Sequence, residues 1–180
     1  MKYKTVFNLI ATEFGKAKVP FVLVGGFAVN HYKVSRATAD VDLIMTEESY
    51  ARALPLLEQN GYRETMRTSL FARLGARGVL LMDLDVLFVD QKTFDGIARE
   101  SGKTEIEGKK IKIPSLSHLI ALKLHSLRNN FVHREIPDLS DIVNLIKINQ
   151  IDVKRDSFRE LCLKYGTQEL YDRILRAVSV

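Results

Sequence analysis

Cysteine is almost absent from this chain, since Cys162 is the only one among 180 residues. A single thiol excludes an internal disulfide framework and argues against a zinc site built on cysteines. Long apolar runs are also lacking: near the N-terminus the apolar residues are interrupted by Asn8, Glu13 and Lys16. We therefore expect no signal peptide, no membrane span and no membrane partner, and we expect a reducing, cytoplasmic setting.

No linker divides the sequence, since it has no stretch rich in glycine, proline or serine. It also contains no visible internal repeat or low-complexity tract. The apolar content of 46% and the charged content of 27% are typical of a chain that folds around a core. The length suits one domain, or a domain with a helical extension. A formal net charge of +5 is compatible with an anionic partner such as a nucleotide or a nucleic acid, but it is too small to identify one.

The hydrophobic periodicity predicts a small α/β part at residues 1–114 and a helical part at 115–180 packed on it, with a soft division near Pro114. The predicted strands are 21–24, 40–45, 62–65, 69–74 and 79–89, the third and fourth at sheet edges, with a hairpin at 104–113 turning at Gly108. The predicted helices are 3–16, a short one after Gly26, 47–60 with Thr46 as N-cap, 93–100, 115–130, 138–148, 154–164 and 167–178.

Two pairs of acidic residues interrupt strands that are otherwise apolar: Asp40 with Asp42, and Asp83 with Asp85. Because side chains alternate across a strand, each pair leaves one face of its strand while the alternate residues face the core. An isolated pair of this kind is as often merely solvent-facing. If the two strands are neighbours, however, three or four carboxylates converge, and a divalent cation is the simplest compensation for their repulsion. Ligands that are all oxygens favour Mg²⁺ or Mn²⁺ over zinc.

A glycine pair, Gly25 and Gly26, follows the first predicted strand. Glycines in a turn between a strand and a helix let backbone N–H groups approach phosphate oxygens without a Cβ in the way. By itself such a pair more often marks only a tight turn. Together with the two acidic pairs, it favours a site for a metal and a polyphosphate.

The stretches VGGFAVNHYKVSRATADVDLIM and LDVLF resemble the nucleotidyltransferase superfamily with the polymerase-β-like fold. That superfamily has a glycine turn, D-x-D on one strand and a further aspartate on a later strand. The form R-x-T-x-D-x-D is most similar to the group that includes AbiEii-type abortive-infection toxins and uncharacterised nucleotidyltransferase-like proteins, and the similarity extends over residues 21–146. The resemblance implies an α+β fold, with a small mixed β-sheet flanked by helices and a C-terminal helical extension.

The resemblance also implies a role for each matching position. Asp40 and Asp42 would be metal ligands, and Asp85 would be the third carboxylate, which also helps to activate the attacking hydroxyl. Asp83 lies two residues earlier on the same face, so it is an alternative for the third position. The residues that would contact the nucleotide are Gly25, Gly26, Arg36, Thr38 and Lys123, although for Arg36 and Thr38 the alternative is that they fix the loop before the metal strand.

Lys123 falls near the middle of an apolar helical stripe, so its ammonium group must either reach solvent along its stem or meet an acid or a phosphate. The resemblance favours contact with nucleotide phosphates and a catalytic role. Asp138 and Asp141 fit an N-cap and its capping-box partner. A late aspartate of the family also makes both of them candidates for the site.

The implied activity is transfer of a nucleoside monophosphate from an NTP to a hydroxyl acceptor, assisted by Mg²⁺ or Mn²⁺. One interpretation is an AbiEii-like toxin that modifies RNA or protein and has an antitoxin partner. Another is a small-molecule enzyme that adenylylates antibiotic hydroxyls. A third is a nucleotide-sensing or partner-binding domain without turnover, against which the intact aspartates count. The helical part and residues 62–78 carry no motif that identifies the acceptor.

Overall fold

A computed structural model describes residues 3–77, 81–129 and 135–179. By their internal packing the residues form two compact units: Met1–Ala28 with Ala37–Ser115, and Val29–Arg36 with Leu116–Val180. The packing therefore assigns the short segment Val29–Arg36 to the helical unit, which the sequence did not indicate. The interpretation of residues 1–114 and 115–180 as domains stays a prediction.

The first unit contains a five-stranded mixed sheet in the order β1–β2–β5–β4–β3. Strands β2 and β5 are parallel, and every other neighbouring pair in this sheet is antiparallel. The strands are β1 (Val22–Leu23), β2 (Asp40–Met45), β3 (Tyr62–Arg67), β4 (Phe71–Ala76) and β5 (Asp83–Phe88). The predicted α+β fold with a mixed sheet is thereby confirmed.

Strand β4 corrects one prediction, because it is not an edge strand. It pairs with β3 on one side and with β5 on the other, and Ala72 and Leu74 are fully buried. Which strands become its neighbours depends on pairing with β5, and the local sequence pattern does not specify that pairing. The predicted strand 79–89 is shorter in the structure, beginning at Asp83, and residues 79 and 80 lie outside the described residues.

Four helices and a hairpin accompany the sheet. They are α1 (Val6–Lys16), α2 (Gly25–His31), α3 (Glu47–Gln59), α4 (Gln91–Glu100), β6 (Gly102–Ile106) and β7 (Lys109–Ile113). Helix α2 begins in the first unit and ends in the second. The predicted N-cap of α3 is confirmed, since the hydroxyl of Thr46 accepts a hydrogen bond from the backbone N–H of Ser49.

The core of the first unit depends on the alternation of side chains along β2 and β5. As the sequence predicts, the residues between the aspartates point away from them into the core. These buried residues are Val41, Leu43, Met45, Leu84, Val86 and Phe88. The burial of one face fixes the register of both strands and thereby the face on which the aspartates lie.

The second unit contains the helices α5 (Leu116–Arg128), α6 (Glu135–Ile148), α7 (Asp156–Tyr165) and α8 (Gln168–Val178). Helix α6 already includes Glu135, so Asp138 is not its N-cap, and the predicted capping box with Asp141 is wrong. Pro137 is compatible with this earlier start because proline is tolerated in the first turn of a helix. None of the helices in the described ranges combines the length and the apolar character needed to cross a membrane.

Candidate active site

Carboxylates from two parallel strands meet on one face of the sheet. The register places Asp40 opposite Asp83 and Asp42 opposite Asp85. One carboxylate oxygen from each of Asp40, Asp42 and Asp85 lies within 4.8 Å of the other two. Asp85 is only 2% exposed, whereas Asp40 and Asp42 are partly exposed. The sequence-predicted acidic residues are therefore brought together at one place.

The side chain of Asp83 forms a hydrogen bond outside the group of Asp40, Asp42 and Asp85. Its Oδ1 atom accepts a hydrogen bond from the backbone N–H of Ala76 at 2.9 Å, and the residue is exposed. The bond joins β5 to the end of β4. Of the two aspartates on β5, it is therefore Asp85 that belongs to the carboxylate cluster with Asp40 and Asp42.

This carboxylate cluster fits a hard divalent cation. Its donor atoms are all oxygens, which is the ligand type that Mg²⁺ and Mn²⁺ prefer. Ligands about 2.1 Å from Mg²⁺ lie roughly 3–4 Å apart, and the mutual distances of the three oxygens, within 4.8 Å, are close to that range. The residues that would hold the ion are Asp40, Asp42 and Asp85.

Gly25 lies directly against this carboxylate cluster. Its φ of +60° is in the left-handed region, and a Cβ added there would lie 1.7 Å from Oδ2 of Asp42. Glycine is therefore required at this position for two reasons, its backbone conformation and the space that Asp42 occupies. The predicted contact with nucleotide phosphates stays a prediction.

Gly26 and Thr38 are fitted to each other in a similar way. A Cβ on Gly26 would lie 2.7 Å from Cβ of Thr38. The Thr38 hydroxyl is 3.1 Å from the backbone oxygen of Asp40 and 3.2 Å from its Oδ1 atom, so it can donate to either acceptor. Thr38 thus helps to orient a predicted metal ligand, which is a role distinct from the nucleotide contact that stays a prediction.

Arg73 is a residue of this site that sequence reasoning missed. It lies opposite Asp85 on β4, and its guanidinium donates from Nε to Oδ1 at 2.7 Å and from Nη2 to Oδ2 at 2.6 Å. These bonds, followed by the nearby charge of Asp85, raise the pKa of Arg73. The only signal in the sequence was a charged residue between two apolar ones on a strand, and identifying its partner required the register between strands.

Lys123 lies in a separate buried ion cluster within the second unit. Its Nζ donates to Asp138 Oδ1 at 2.9 Å and to Asp141 Oδ2 at 2.7 Å, and Nη1 of Arg36 also donates to Asp141. The side chains of Lys123 and the two aspartates are at most 7% exposed. The sequence allowed the Lys123 ammonium group to meet solvent, an acid or a phosphate, and in the structure it contacts two acids. The contacts of Lys123 and Arg36 with a nucleotide stay predictions.

Asn30 holds Arg36 in position. The Asn30 side chain accepts a hydrogen bond from the Arg36 backbone N–H at 2.7 Å and donates to the Arg36 carbonyl at 2.9 Å. This pair of bonds closes the segment between the two residues into a loop. The alternative that Arg36 fixes the loop is therefore compatible with the structure. Its backbone is bonded to Asn30, and its side chain is paired with Asp141.

Several solved nucleotidyltransferases have a similar structure. The antibiotic-resistance factor ANT(2'')-Ia matches with a TM-score of 0.56 and 15% identity, over 96% of this chain and 88% of that one. An antigenic nucleotidyltransferase-like protein from Paracoccidioides brasiliensis matches with a TM-score of 0.56 and 16% identity, over 97% and 90%. The lincosamide antibiotic adenylyltransferase LnuA matches with a TM-score of 0.53 and 19% identity, over 75% and 90%. At such low sequence identity, these structural likenesses show a shared fold and do not show the substrate.

The sequence itself matches a family described as uncharacterised nucleotidyltransferase, over residues 3–179. The comparison with curated proteins finds no match. The family match covers almost the whole chain, including both strands of the carboxylate cluster, and the fold agrees with it. The chain therefore belongs to this family of uncharacterised nucleotidyltransferases.

Proposed function

We propose that this protein transfers a nucleoside monophosphate from an NTP to a hydroxyl acceptor, using one or two divalent cations held by Asp40, Asp42 and Asp85. The acceptor oxygen would bond to the α-phosphorus and lose its proton, and the bond to the β-phosphate would break to release pyrophosphate. The observation that carries the proposal is the gathering of these carboxylates from β2 and β5 within 4.8 Å. Membership of a nucleotidyltransferase family supports the reaction class. Mg²⁺ is the proposed ion, with Mn²⁺ as its substitute.

The residues of the carboxylate cluster have two tasks in this proposal. When bound, a divalent cation offsets negative charge on the phosphates and makes a coordinated hydroxyl easier to deprotonate. Asp40 and Asp42 would hold a cation beside the triphosphate, and Asp85 would help to remove the proton from the acceptor hydroxyl. Gly25 is the proposed backbone contact of the phosphates, through its N–H group at the start of α2.

Lys123 is a proposed contact of the nucleotide phosphates. An ammonium group has three N–H donors, and Lys123 directs two of them to Asp138 and Asp141. A phosphate oxygen would be bound by the third donor or in exchange for one aspartate. Arg36 and Thr38 are also proposed nucleotide contacts. Each already has a carboxylate or carbonyl partner, so a phosphate oxygen would have to share or replace that partner.

For the acceptor, we propose a small-molecule hydroxyl. The proposal is supported by the likeness to ANT(2'')-Ia, solved in complex with adenylyl-2''-tobramycin, and to LnuA, solved with lincomycin bound. The competing proposal is an AbiEii-like toxin that acts on RNA or protein and is restrained by an antitoxin. It is supported by the R-x-T-x-D-x-D form, which includes Arg36 and Thr38.

Label transfer tests the reaction and the acceptor together. The protein is incubated with Mg²⁺ and each NTP labelled at the α-phosphate, in parallel with total RNA, total protein, aminoglycosides and lincosamides. We expect transfer to one acceptor class, lost in Asp42→Asn and kept in Asp95→Asn, which removes a carboxylate from the surface helix α4. Tight NTP binding without transfer to any acceptor would instead support a nucleotide-sensing domain and overturn the proposed activity.

Expression in bacteria separates the two acceptor proposals. A drug-modifying enzyme is expected to confer resistance to its substrate without slowing growth, and resistance disappears in Asp40→Ala. A toxin is expected to arrest growth, with relief by the same substitution or by a cognate antitoxin. Growth arrest with wild-type protein would therefore contradict the small-molecule proposal.

A further inference from the structure

Arg73 brings a positive charge to the carboxylate cluster of Asp40, Asp42 and Asp85. Both of its described hydrogen bonds end on Asp85, one on each carboxylate oxygen. A bidentate pair of this kind is among the stronger charge-assisted contacts. Arg73 therefore directly compensates the charge of one member of the carboxylate cluster.

The contact between Arg73 and Asp85 reduces electrostatic repulsion within the carboxylate cluster. Three carboxylates within 4.8 Å repel one another, and Asp85 is almost completely buried, so that water cannot screen its charge. In the structure, the guanidinium of Arg73 offsets part of this repulsion. A divalent cation bound to the same oxygens would do so as well, but it would carry two positive charges to within a few ångströms of the guanidinium and repel it.

We propose that Arg73 is a built-in counter-ion that competes with a divalent cation for Asp85 and thereby weakens cation binding to the carboxylate cluster. This inference rests on the proposed metal site. Its second requirement is that Arg73 can leave Asp85, and the two side chains differ in this respect. The Arg73 side chain is 48% exposed and can swing into solvent, whereas the Asp85 side chain is 3% exposed and stays in place.

Binding of Mn²⁺ to the full chain, without nucleotide, tests the inference. Calorimetric titration and the paramagnetic resonance signal of unbound Mn²⁺ both measure this affinity independently of activity. Arg73→Gln removes the charge and keeps an amide donor, and we expect it to tighten Mn²⁺ binding by about tenfold because the repulsion is gone. Arg73→Lys keeps the charge without the fork, and we expect its affinity to lie within about threefold of wild type.

Arg67→Gln is the matched control. Arg67 also lies in the first unit, but it pairs with Ala72, the neighbour of Arg73, so it projects from the opposite face of the sheet. Its ion pairs with Glu47 and Glu64 are 3.5 and 3.7 Å long and lie outside the carboxylate cluster. This substitution removes the same charge from the protein, and we expect no change in Mn²⁺ affinity.

Thermal unfolding provides a second measurement that remains valid if Arg73→Gln lowers stability. In EDTA, we expect the Tm of Arg73→Gln to fall below that of wild type, because Asp85 then lacks its counter-ion. Saturating Mn²⁺ should raise the Tm of Arg73→Gln by more than it raises the Tm of wild type. Equal gains in both proteins would overturn the inference.

The outcomes also distinguish this inference from the proposed function. Equal or weaker Mn²⁺ binding by Arg73→Gln overturns the competition, and so does Arg73→Lys binding as tightly as Arg73→Gln. If wild type transfers label and Arg73→Gln shows unchanged affinity, only the inference fails. If Asp42→Asn binds Mn²⁺ as tightly as wild type, the metal site itself fails, and the proposed function fails with it.

Discussion

Gly25 shows how a single residue can determine the shape of the carboxylate cluster. The space that a larger side chain would fill is occupied by Oδ2 of Asp42, only 1.7 Å from the position of a Cβ. The positive φ of Gly25 adds a conformational requirement. Any side chain at this position must therefore displace either the turn or the Asp42 carboxylate.

Gly25→Ala is accordingly expected to damage both stability and metal binding. The free energy of unfolding should fall by about 1–3 kcal/mol because of backbone strain and the forced contact. Mn²⁺ affinity should fall by at least about tenfold, because Asp42 would be displaced from its position as a ligand. A loss of roughly 1.4 kcal/mol of binding free energy suffices for a tenfold change. Urea unfolding and Mn²⁺ titration measure the two effects.

A second glycine provides the control for this substitution. Gly96 lies within α4, and a Cβ added there meets nothing within 4 Å. Gly96→Ala should therefore raise the free energy of unfolding by about 0.5–1 kcal/mol and leave Mn²⁺ affinity unchanged. Wild-type Mn²⁺ affinity in Gly25→Ala would contradict the argument.

The buried ion cluster around Lys123 makes a separate prediction about the second unit. Lys123→Met leaves Asp138 and Asp141 buried without the ammonium group that both of them accept from. Removing one partner of a buried pair typically costs about 3–5 kcal/mol, because the remaining charge is uncompensated. We expect a loss of this size in urea unfolding near neutral pH.

A double variant tests whether charge is the cause of that loss. In Lys123→Met with Asp138→Asn, one buried carboxylate becomes neutral and Asp141 keeps its ion pair with Arg36. We expect the double variant to be more stable than Lys123→Met alone. If both have the same stability, lost packing of the lysine stem would explain the effect and the electrostatic interpretation would be wrong.

At the scale of elements, helix α4 begins with a cap that titrates. The side chain of Asp90 accepts hydrogen bonds from the backbone N–H and the hydroxyl of Thr93, each at 2.8 Å. These bonds hold the pKa of Asp90 below its ordinary value of 3.8. Because the pKa is lower in the folded state, the ionised cap stabilises the fold fully above 3.8 and loses this contribution as the pH falls through the lower, folded value.

Asp90→Asn isolates this titration, because asparagine caps a helix about as well as aspartate but carries no charge. Wild type should have the higher Tm near neutral pH, where the carboxylate also interacts favourably with the helix dipole. The difference in Tm between the two proteins should shrink as the pH is lowered from about 5 to about 2. A difference that is independent of pH would show that the charge of Asp90 does not contribute.

Which elements could be predicted from the sequence depends on how local their causes are. The helices, the Thr46 cap and the shared face of Asp40 and Asp42 follow from periodicity and capping within a few residues. The inner position of β4 and the pairing of Arg73 with Asp85 depend on which strands become neighbours, which no local pattern encodes. The family resemblance supplied the link between the two acidic strands, but not this arginine.

Helix α6 illustrates a different reason for an error. Asp138 follows a proline, and this order made it look like an N-cap, but the helix includes Glu135 and the proline lies in its first turn. The aspartate instead faces Lys123, fifteen residues earlier along the chain. The sequence showed that the ammonium group of Lys123 must reach solvent, an acid or a phosphate, yet it could not decide between them or identify the acid.

At the scale of the whole molecule, the two ion clusters belong to different units of the chain. The chain passes from one unit to the other between residues 28 and 29, 36 and 37, and 115 and 116. The three residues of the carboxylate cluster belong to the first unit, and Lys123 with its partners belongs to the second. An ion bound to Asp40, Asp42 and Asp85 is therefore expected to stabilise the first unit selectively.

Hydrogen exchange with and without Mn²⁺ tests this selectivity. An ion at a hundred times its Kd stabilises the state that binds it by about 2.7 kcal/mol, which slows exchange through opening of that state by roughly a hundredfold. We expect this slowing at the amides of β2 and β5, little change in α7 and α8, and no effect in Asp42→Asn. Equal slowing in both units would show that they open as one cooperative body, because the three carboxylates proposed to hold the ion all belong to the first unit.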